Sequence, residues 1–439
     1  MASLAEELEA TFDALARVWP PRSLTGQGNR RTLDILDTVC GPIRRIEVAS
    51  GRQIYDWTAP KEFVLREAYC IDPSGNRRWD VRSHALHLLG YSQPFIGTVT
   101  RGELDEHLYS DPARPKIIPY CTSYWEPKWG FCLPDAERRE LPEGNYRVHI
   151  DVEHIDGHMT LGELIIKGET PRECLLTSYI CHPGVLAQNE NSGPLALAYL
   201  ARAIKAWPKR RYTYRVAFLV ETVGAIAYLA QPLPRALSPE TLGDHLRQWC
   251  DFGYVLTCLG RGDFTYKRSR AGDTLADRAA EHVLRWRKGK DWQFPADVFR
   301  NYFVDRGSDE LSLNSLAFQL PIGSVMRDQY GLYDTYHGSA DDKANIEFGL
   351  LANSVAVYER ILQAAEANRV YQSTVIHGVP QLGRRGLYSA ADVHPMLALT
   401  QFCDGKTDLL AVAERTGLPI ERLAEAAERA VAGGVLERV

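Results

Sequence analysis

The chain has no run of about 18 consecutive apolar residues, which excludes a membrane-spanning helix. It has no Cys-x-x-Cys pair. Its nine cysteines (Cys40, Cys70, Cys121, Cys132, Cys174, Cys181, Cys250, Cys258 and Cys403) are scattered and odd in number, which argues against a disulfide framework and a thiolate zinc site. The start, Met1-Ala2-Ser3-Leu4-Ala5-Glu6-Glu7, lacks the basic head and apolar core of a secretory leader. A reducing cytoplasm is the expected setting. Positive charge is not in excess either: 51 Lys and Arg stand against 56 Asp and Glu, so bulk binding to nucleic acid or an anionic membrane is not expected. No internal repeat and no low-complexity segment occurs. What remains, 45% hydrophobic and 24% charged over 439 residues, fits an ordinary globular chain of about three domains.

Residues 4–18 have helical spacing and stop at Trp19-Pro20-Pro21. Gly26 and Gly28 follow without a preceding strand or a P-loop lysine, so they read as a turn. Residues of about 43–170 are rich in short β runs and aromatics, among them Trp57, Trp79, Tyr120, Tyr124, Trp125, Trp129 and Phe131. Most of these aromatics suit a small β core; the stretch 120–131 is also a candidate substrate-facing loop. From about 172 the rhythm changes. Strand-like runs over 174–180, 214–220, 252–259 and 317–325 alternate with helical runs over 194–207, 225–230, 274–287 and 344–365. That alternation predicts an α/β fold with a largely parallel sheet. Residues 369–388 read as a linker. Three short amphipathic segments near 394–403, 407–416 and 420–432, then Gly433-Gly434-Val435-Leu436, resemble a winged helix-turn-helix. Residues 391–439 hold five basic and eight acidic residues, which suits a packing or partner surface better than a DNA reader.

Four constellations bear chemistry. In Thr177-Ser178-Tyr179-Ile180-Cys181-His182-Pro183-Gly184, a histidine emerges where an apolar strand ends and proline breaks the ladder. His182 is therefore expected at a strand's carboxyl edge, where open α/β sheets bind ligands. Glu190 follows in the loop before a helix, either as a functional carboxylate or as a cap. Glu221 ends the next apolar run and suits a general base if its strand neighbours the first. His337, in Tyr333-Asp334-Thr335-Tyr336-His337-Gly338, offers a further imidazole. The charged loop Arg306-Gly307-Ser308-Asp309-Glu310 offers carboxylates for a metal, a hydrogen bond or a substrate ammonium. His154-Ile155-Asp156-Gly157-His158 looks like a metal cluster, but Asp156-Gly157 between β-rich flanks predicts a hairpin. His84 and His87 lie in an amphipathic run and are expected to be structural.

Taken together, Arg22-Ser23-Leu24-Thr25-Gly26, Asp56-Trp57-Thr58, Ile118-Pro119-Tyr120, Trp129-Gly130-Phe131-Cys132, Cys181-His182-Pro183, Asn189-Glu190, Ser192-Gly193-Pro194, Glu221-Thr222, Arg306 to Glu310 and Tyr336-His337 carry a family resemblance. The chain resembles the bacterial aminopeptidase-like proteins with a small inserted domain and a C-terminal winged helix. These are often labelled as polysaccharide-biosynthesis related, and they belong to the zinc aminopeptidase and glutaminyl cyclase superfamily. The resemblance implies a zinc-aminopeptidase-like mixed, largely parallel sheet flanked by helices. It implies an aminopeptidase-like domain over 1–45 and 170–370, an inserted β-rich domain over 46–169 and a winged helix over 385–439. It places zinc on His182, Glu190 and His337, with Glu221 as general base. Thr222, Thr257 and Cys258 stand where further acidic ligands are usual, so one zinc is expected. Asp309 or Glu310 would orient groups or bind an ammonium, and Tyr336 or Arg306 would stabilise an oxyanion. The expected activity is a cytoplasmic zinc amide hydrolase acting on a small peptide or aminoacyl substrate. Aminoacyl cyclisation or transfer, and a non-catalytic scaffold, are the rival readings. The acidic winged helix is a candidate surface for a homo-oligomer.

Overall fold

The computed structural model describes residues 2–234, 240–286, 299–303, 307–389 and 393–439. Its central sheet has eight strands: β1 (Arg44–Ala49), β2 (His158–Ile166), β3 (Glu173–Tyr179), β4 (Thr213–Leu219), β5 (Cys250–Val255), β6 (Phe264–Lys267), β7 (Phe299–Arg300) and β8 (Ile322–Arg327). They lie in the order β1-β2-β4-β3-β5-β8-β6-β7. The four middle strands β4, β3, β5 and β8 run parallel, β1 and β2 pair antiparallel with their neighbours, and β6 runs antiparallel to β8 and parallel to β7. Every residue of β3 is buried, as a central strand covered on both faces requires.

Two apolar layers cover the sheet. On one side the helices Ser192–Ala206 and Phe348–Ala367 pack through residues such as Leu195, Leu197, Leu351 and Tyr358. Pro194 sits in the first turn of the former helix, where its missing N–H costs nothing. On the other side Val223–Leu229 and Leu242–Trp249 pack with Leu161, Leu219 and Ile322. Among the described residues no helix is long and apolar enough to cross a membrane.

A four-stranded antiparallel sheet is inserted between β1 and β2: Arg77–Arg78, Glu62–Ile71, Asn145–Ile155 and Phe95–Thr100. Two expectations are corrected here. β1 and β2 fall almost wholly within the span 46–169, yet both belong to the large sheet. The turn at Asp156-Gly157 does reverse the chain, but its flanking strands do not form a hairpin. Asn145–Ile155 pairs inside the insert, and His158–Ile166 pairs with β1 and β4. Glu62 holds this crossover, accepting from the His158 N–H at 3.0 Å and from the Arg30 guanidinium. His154 Nε2 lies 2.9 Å from the Ser92 carbonyl and His87 Nδ1 2.9 Å from the Cys132 carbonyl, so neither belongs to a metal cluster.

The C-terminal unit has the helices Val393–Phe402, Leu409–Thr416 and Ile420–Ala432 with a three-stranded sheet. The stretch read as a linker opens with the central strand of that sheet, Val370–Ser373, between Asp404–Asp408 and Leu436–Arg438. Leu409, Leu410, Leu423 and Ala427 join the same core as Leu351 and Ile361, so the unit is packed on the α/β domain.

Candidate active site

β3 and β4 are neighbours in parallel register, with Tyr179 opposite Leu219. His182 and Glu221 therefore leave the sheet at the same edge. Pro183 and the backbone at Thr222 (φ 60°, ψ −80°) turn both chains out of the ladder. A threonine with φ 60° is strained, and so are Cys258 (φ 53°) and His337 (φ 51°). Strain of this kind concentrates at functional sites.

His182 is the centre of the cluster. Its Nε2 lies 3.6 Å from Glu221 Oε2, and its Nδ1 lies 2.7 Å from Glu190 Oε2. Its ring centre is 5.5 Å from that of His337. Tyr120, reaching over from the insert, packs on both imidazoles at 5.1 and 5.2 Å. The loop of His337 is stitched to the insert by the Tyr120 N–H, which donates to the His337 carbonyl at 2.8 Å, and by a bridge between Pro119 and Gly338. The aromatic loop thus faces the site through Tyr120.

Glu190 lies in a single π-turn over Ala187–Asn191, a helical irregularity common at functional sites. Asp341 fixes that turn, accepting from the N–H groups of Gln188 at 2.8 Å and Asn189 at 3.0 Å. Behind Glu190 stands Arg22. Its Nη1 is 3.8 Å from Glu190 Oε1, and neither side chain is exposed. Its Nη2 donates to Asn191 Oδ1 at 2.5 Å. Burial raises the pKa of Glu190, and His182 and Arg22 pull against that rise. Burial also works against the His182 imidazolium, but the neighbouring Cys181 and Glu190 outweigh it and the net direction is upward. Burial lowers the pKa of His337 to about 3, leaving it a neutral donor of a lone pair.

Glu221 accepts from the Ser308 hydroxyl through Oε1, which leaves Oε2 facing His182. Asp309 and Glu310 turn inward. Asp309 is fully buried, accepts the Thr222 N–H through Oδ1 at 2.9 Å, and among the described residues has no donor on Oδ2. Burial, then the charge of Glu221, raises its pKa well above the carboxylate range. Glu310 is 1% exposed; its Oε2 accepts the Ser308 N–H at 2.9 Å and its Oε1 faces the Tyr330 hydroxyl at 3.4 Å. Tyr336 stacks on His337 with ring centres 3.9 Å apart, and burial holds its phenol neutral. Arg306 lies outside the described residues.

The donors can be tested against zinc. Zn–N and Zn–O bonds of about 2.0–2.2 Å put two ligands of a tetrahedral ion about 3.4 Å apart, and two ring centres about 5 Å apart. The His182–His337 rings at 5.5 Å fit that spacing, and Glu221 Oε2, the candidate base, lies on the same side of His182, 3.6 Å from Nε2. Among the described residues no three His, Cys, Asp or Glu side chains are gathered into a finished cluster. Glu190 stands apart from the others, because it meets His182 on Nδ1, the nitrogen opposite Glu221. In this geometry it orients His182 from behind, the place of an outer partner of a ligating imidazole.

Sequence reasoning brought out His182, Glu190, Glu221 and His337, and the structure brings all four together. It assigned no role to Arg22, Ser308 or Asp341. Arg22 and Ser308 lay inside stretches already singled out, but their sequence neighbours carry no signal of the partners they meet.

Comparison with known proteins gives a consistent result. A family model described as "Domain of unknown function (DUF4910)" matches residues 12–368, and one described as "winged helix-turn-helix" matches 369–438. The chain is 36% identical over 416 residues to a Clostridium acetobutylicum protein described as a "polysaccharide biosynthesis protein with aminopeptidase-like domain", covering 93% of this chain and 91% of that one. It is also similar to the crystal structure of a protein from the same organism titled as a peptidase, with TM-score 0.89, 33% identity, and 99% and 97% of the two chains covered. A zinc aminopeptidase from Bacillus subtilis shares the fold at TM-score 0.58 and 9% identity, with 82% and 95% covered.

Proposed function

Because the chain belongs to the family described as Domain of unknown function (DUF4910), with an aminopeptidase-like relative and an aminopeptidase fold, we propose that it is a zinc-dependent amide hydrolase acting on small peptide or aminoacyl substrates. The observation that carries this reading is the convergence of His182 Nε2 and Glu221 Oε2 at one sheet edge, with His182 Nδ1 held by a buried carboxylate.

His182 and His337 would hold one zinc as imidazole donors, with Glu190 supporting His182 through Nδ1. Bound zinc supplies Lewis acidity at the scissile carbonyl and lowers the pKa of an attacking water toward about 7. Glu221 takes the water proton on Oε2 and returns it to the leaving amine. The Ser308 hydroxyl pins Oε1, so the base presents one oxygen. Tyr336, a neutral phenol beside His337, donates to the developing oxyanion. Asp309 positions rather than reacts: its Oδ1 fixes the strained Thr222 N–H directly after the base.

The test is the metal content of the purified chain and of His182→Ala after zinc reconstitution. About one zinc per chain, lost in the variant, is expected for a mononuclear site. No metal in the reconstituted wild type would reject the mechanism.

A further inference from the structure

The loop that carries His337 is tied to the insert along its length. Between the inserted strands Phe95–Thr100 and Asn145–Ile155, the segment from Arg114 to Tyr120 lies against residues 334–339. Arg114 Nη1 donates to the carbonyls of Asp334 at 3.2 Å and Tyr336 at 2.7 Å. Asp111 accepts from Arg114 Nε at 2.7 Å and so aims the guanidinium. The Ser339 N–H donates to the Ile118 carbonyl at 2.9 Å, and the Ile118 N–H donates back to Ser339 Oγ at 3.0 Å. With the Tyr120 N–H on the His337 carbonyl, hydrogen bonds to the insert bracket His337 on both sides. A Cβ on Gly338 would lie 2.5 Å from Ile117 Cγ2, so the two segments pack without a gap.

His337 needs such a frame. Its φ of 51° lies in the left-handed region, and a side-chain-bearing residue persists there only where its surroundings over-determine it. In that conformation its ring centre stands 5.5 Å from that of His182. The Tyr120 ring packs on both imidazoles, while its hydroxyl is engaged with the Tyr124 hydroxyl. Tyr120 therefore acts on the pair through its ring.

We propose that the insert is part of the metal site: Arg114 and Tyr120 are positioning residues that hold the strained His337 backbone and so keep its imidazole beside His182. The bearing of this on catalysis rests on the hydrolase reading proposed above.

The test titrates the intact chain with cobalt(II), whose visible absorption reports the geometry of its ligands, and follows amide hydrogen exchange of the metal-free chain. The Arg114 side chain is 29% exposed, so Arg114→Ala should remain folded. It is expected to weaken cobalt binding about 10- to 100-fold, the range for outer partners of a metal ligand, and to alter the cobalt spectrum. Arg114→Lys keeps a donor and should recover part of both. Tyr120→Phe keeps the ring and should match wild type, whereas Tyr120→Ala should weaken cobalt binding about tenfold. Without metal, the Tyr120 and Ser339 amides should exchange about 10- to 100-fold faster in Arg114→Ala. Arg66→Ala removes exposed ion pairs to Asp151 and Glu153 on the inserted sheet; it is the control and should change neither reading. A wild type that binds no cobalt rejects the hydrolase reading, and the exchange rates then decide this inference alone. Unchanged exchange in Arg114→Ala would overturn the inference with or without metal, as would an unchanged cobalt spectrum or an equal loss in Arg66→Ala.

Discussion

Arg22 and Glu190 face each other across 3.8 Å in the interior, with neither side chain exposed. Arg22 precedes β1 and Glu190 follows β3, and Glu190 in turn fixes His182 through Nδ1. Removing one partner of a buried ion pair leaves an unpaired charge, which costs about 3–5 kcal/mol. Arg22→Gln is therefore expected to lower unfolding stability by about that amount, measured by urea denaturation. Arg22→Lys keeps the charge but not the contact to Asn191, and should recover part of the loss. An Arg22→Gln chain as stable as wild type would show that Glu190 needs no cation.

Glu221 and Ser308 test the chemistry apart from the fold. Glu221 is partly exposed, so Glu221→Gln should leave the fold and the zinc content intact. Removing a general base costs about 10²–10⁴-fold in kcat. Ser308→Ala frees Oε1 but keeps the base, and a lost hydrogen bond to a charged group predicts a fall of about 10- to 100-fold, well short of the Glu221→Gln loss. Steady-state kinetics on any substrate the enzyme turns over reads both. A Ser308 effect as large as that of Glu221→Gln would give the hydroxyl a role beyond pinning the carboxylate.

Asp341 joins two loops of the site. Four residues after His337, it accepts from the N–H groups of Gln188 and Asn189, from the Tyr333 hydroxyl at 3.2 Å and from the Asn345 amide at 3.2 Å. Asp341→Ala leaves buried donors unpaired and should cost about 2–4 kcal/mol. Because the π-turn with Glu190 and the loop with His337 are both released, zinc affinity should fall more than tenfold, the upper range for outer-sphere partners. Asp341→Asn keeps one acceptor oxygen and should lie between. Unchanged zinc affinity in Asp341→Ala would confine the residue to a role in stability.

The residues that were legible in the sequence share a local cause. His182 and Glu221 each interrupt an apolar strand with a polar group, and parallel neighbours bring such ends to one edge. The misread residues depend on distant partners. Asp156-Gly157 specifies a tight turn, but turn chemistry does not say which sheet each flanking strand joins; that was decided by β1 and β4 on one side and Glu62–Ile71 on the other. Val370–Ser373 looked like linker because its partners lie some thirty and sixty residues away, at 404–408 and 436–438. Glu190 entered as a ligand only through the family resemblance, which does not say which ring nitrogen it meets; in the structure it meets His182 on Nδ1, with the π-turn and Arg22 behind it.

His282 gives the winged helix a pH-dependent seat. It is 5% exposed on the helix Leu275–Trp286, and its Nε2 accepts the N–H of Ile420, the first residue of the helix Ile420–Ala432. Pro419, at that helix's cap, offers no side-chain acceptor, so the imidazole does the capping. Burial lowers the His282 pKa to about 4; Glu421 opposes this, and Arg360 and Arg285 reinforce it. The unfolded chain takes up a proton near pH 6.5, whereas the folded chain resists until about pH 4. The unfolded state therefore binds more protons in this window, and stability falls as pH falls through it. The contribution is complete above pH 6.5 and amounts to at most about 3 kcal/mol. Urea unfolding of wild type and His282→Gln between pH 7.5 and 5 isolates it, because every other titrating group is common to both chains. The gap between the two is expected to narrow as pH falls, since glutamine takes up no proton on unfolding in this window. A gap that stays constant with pH would show that His282 is not kept neutral in the folded chain.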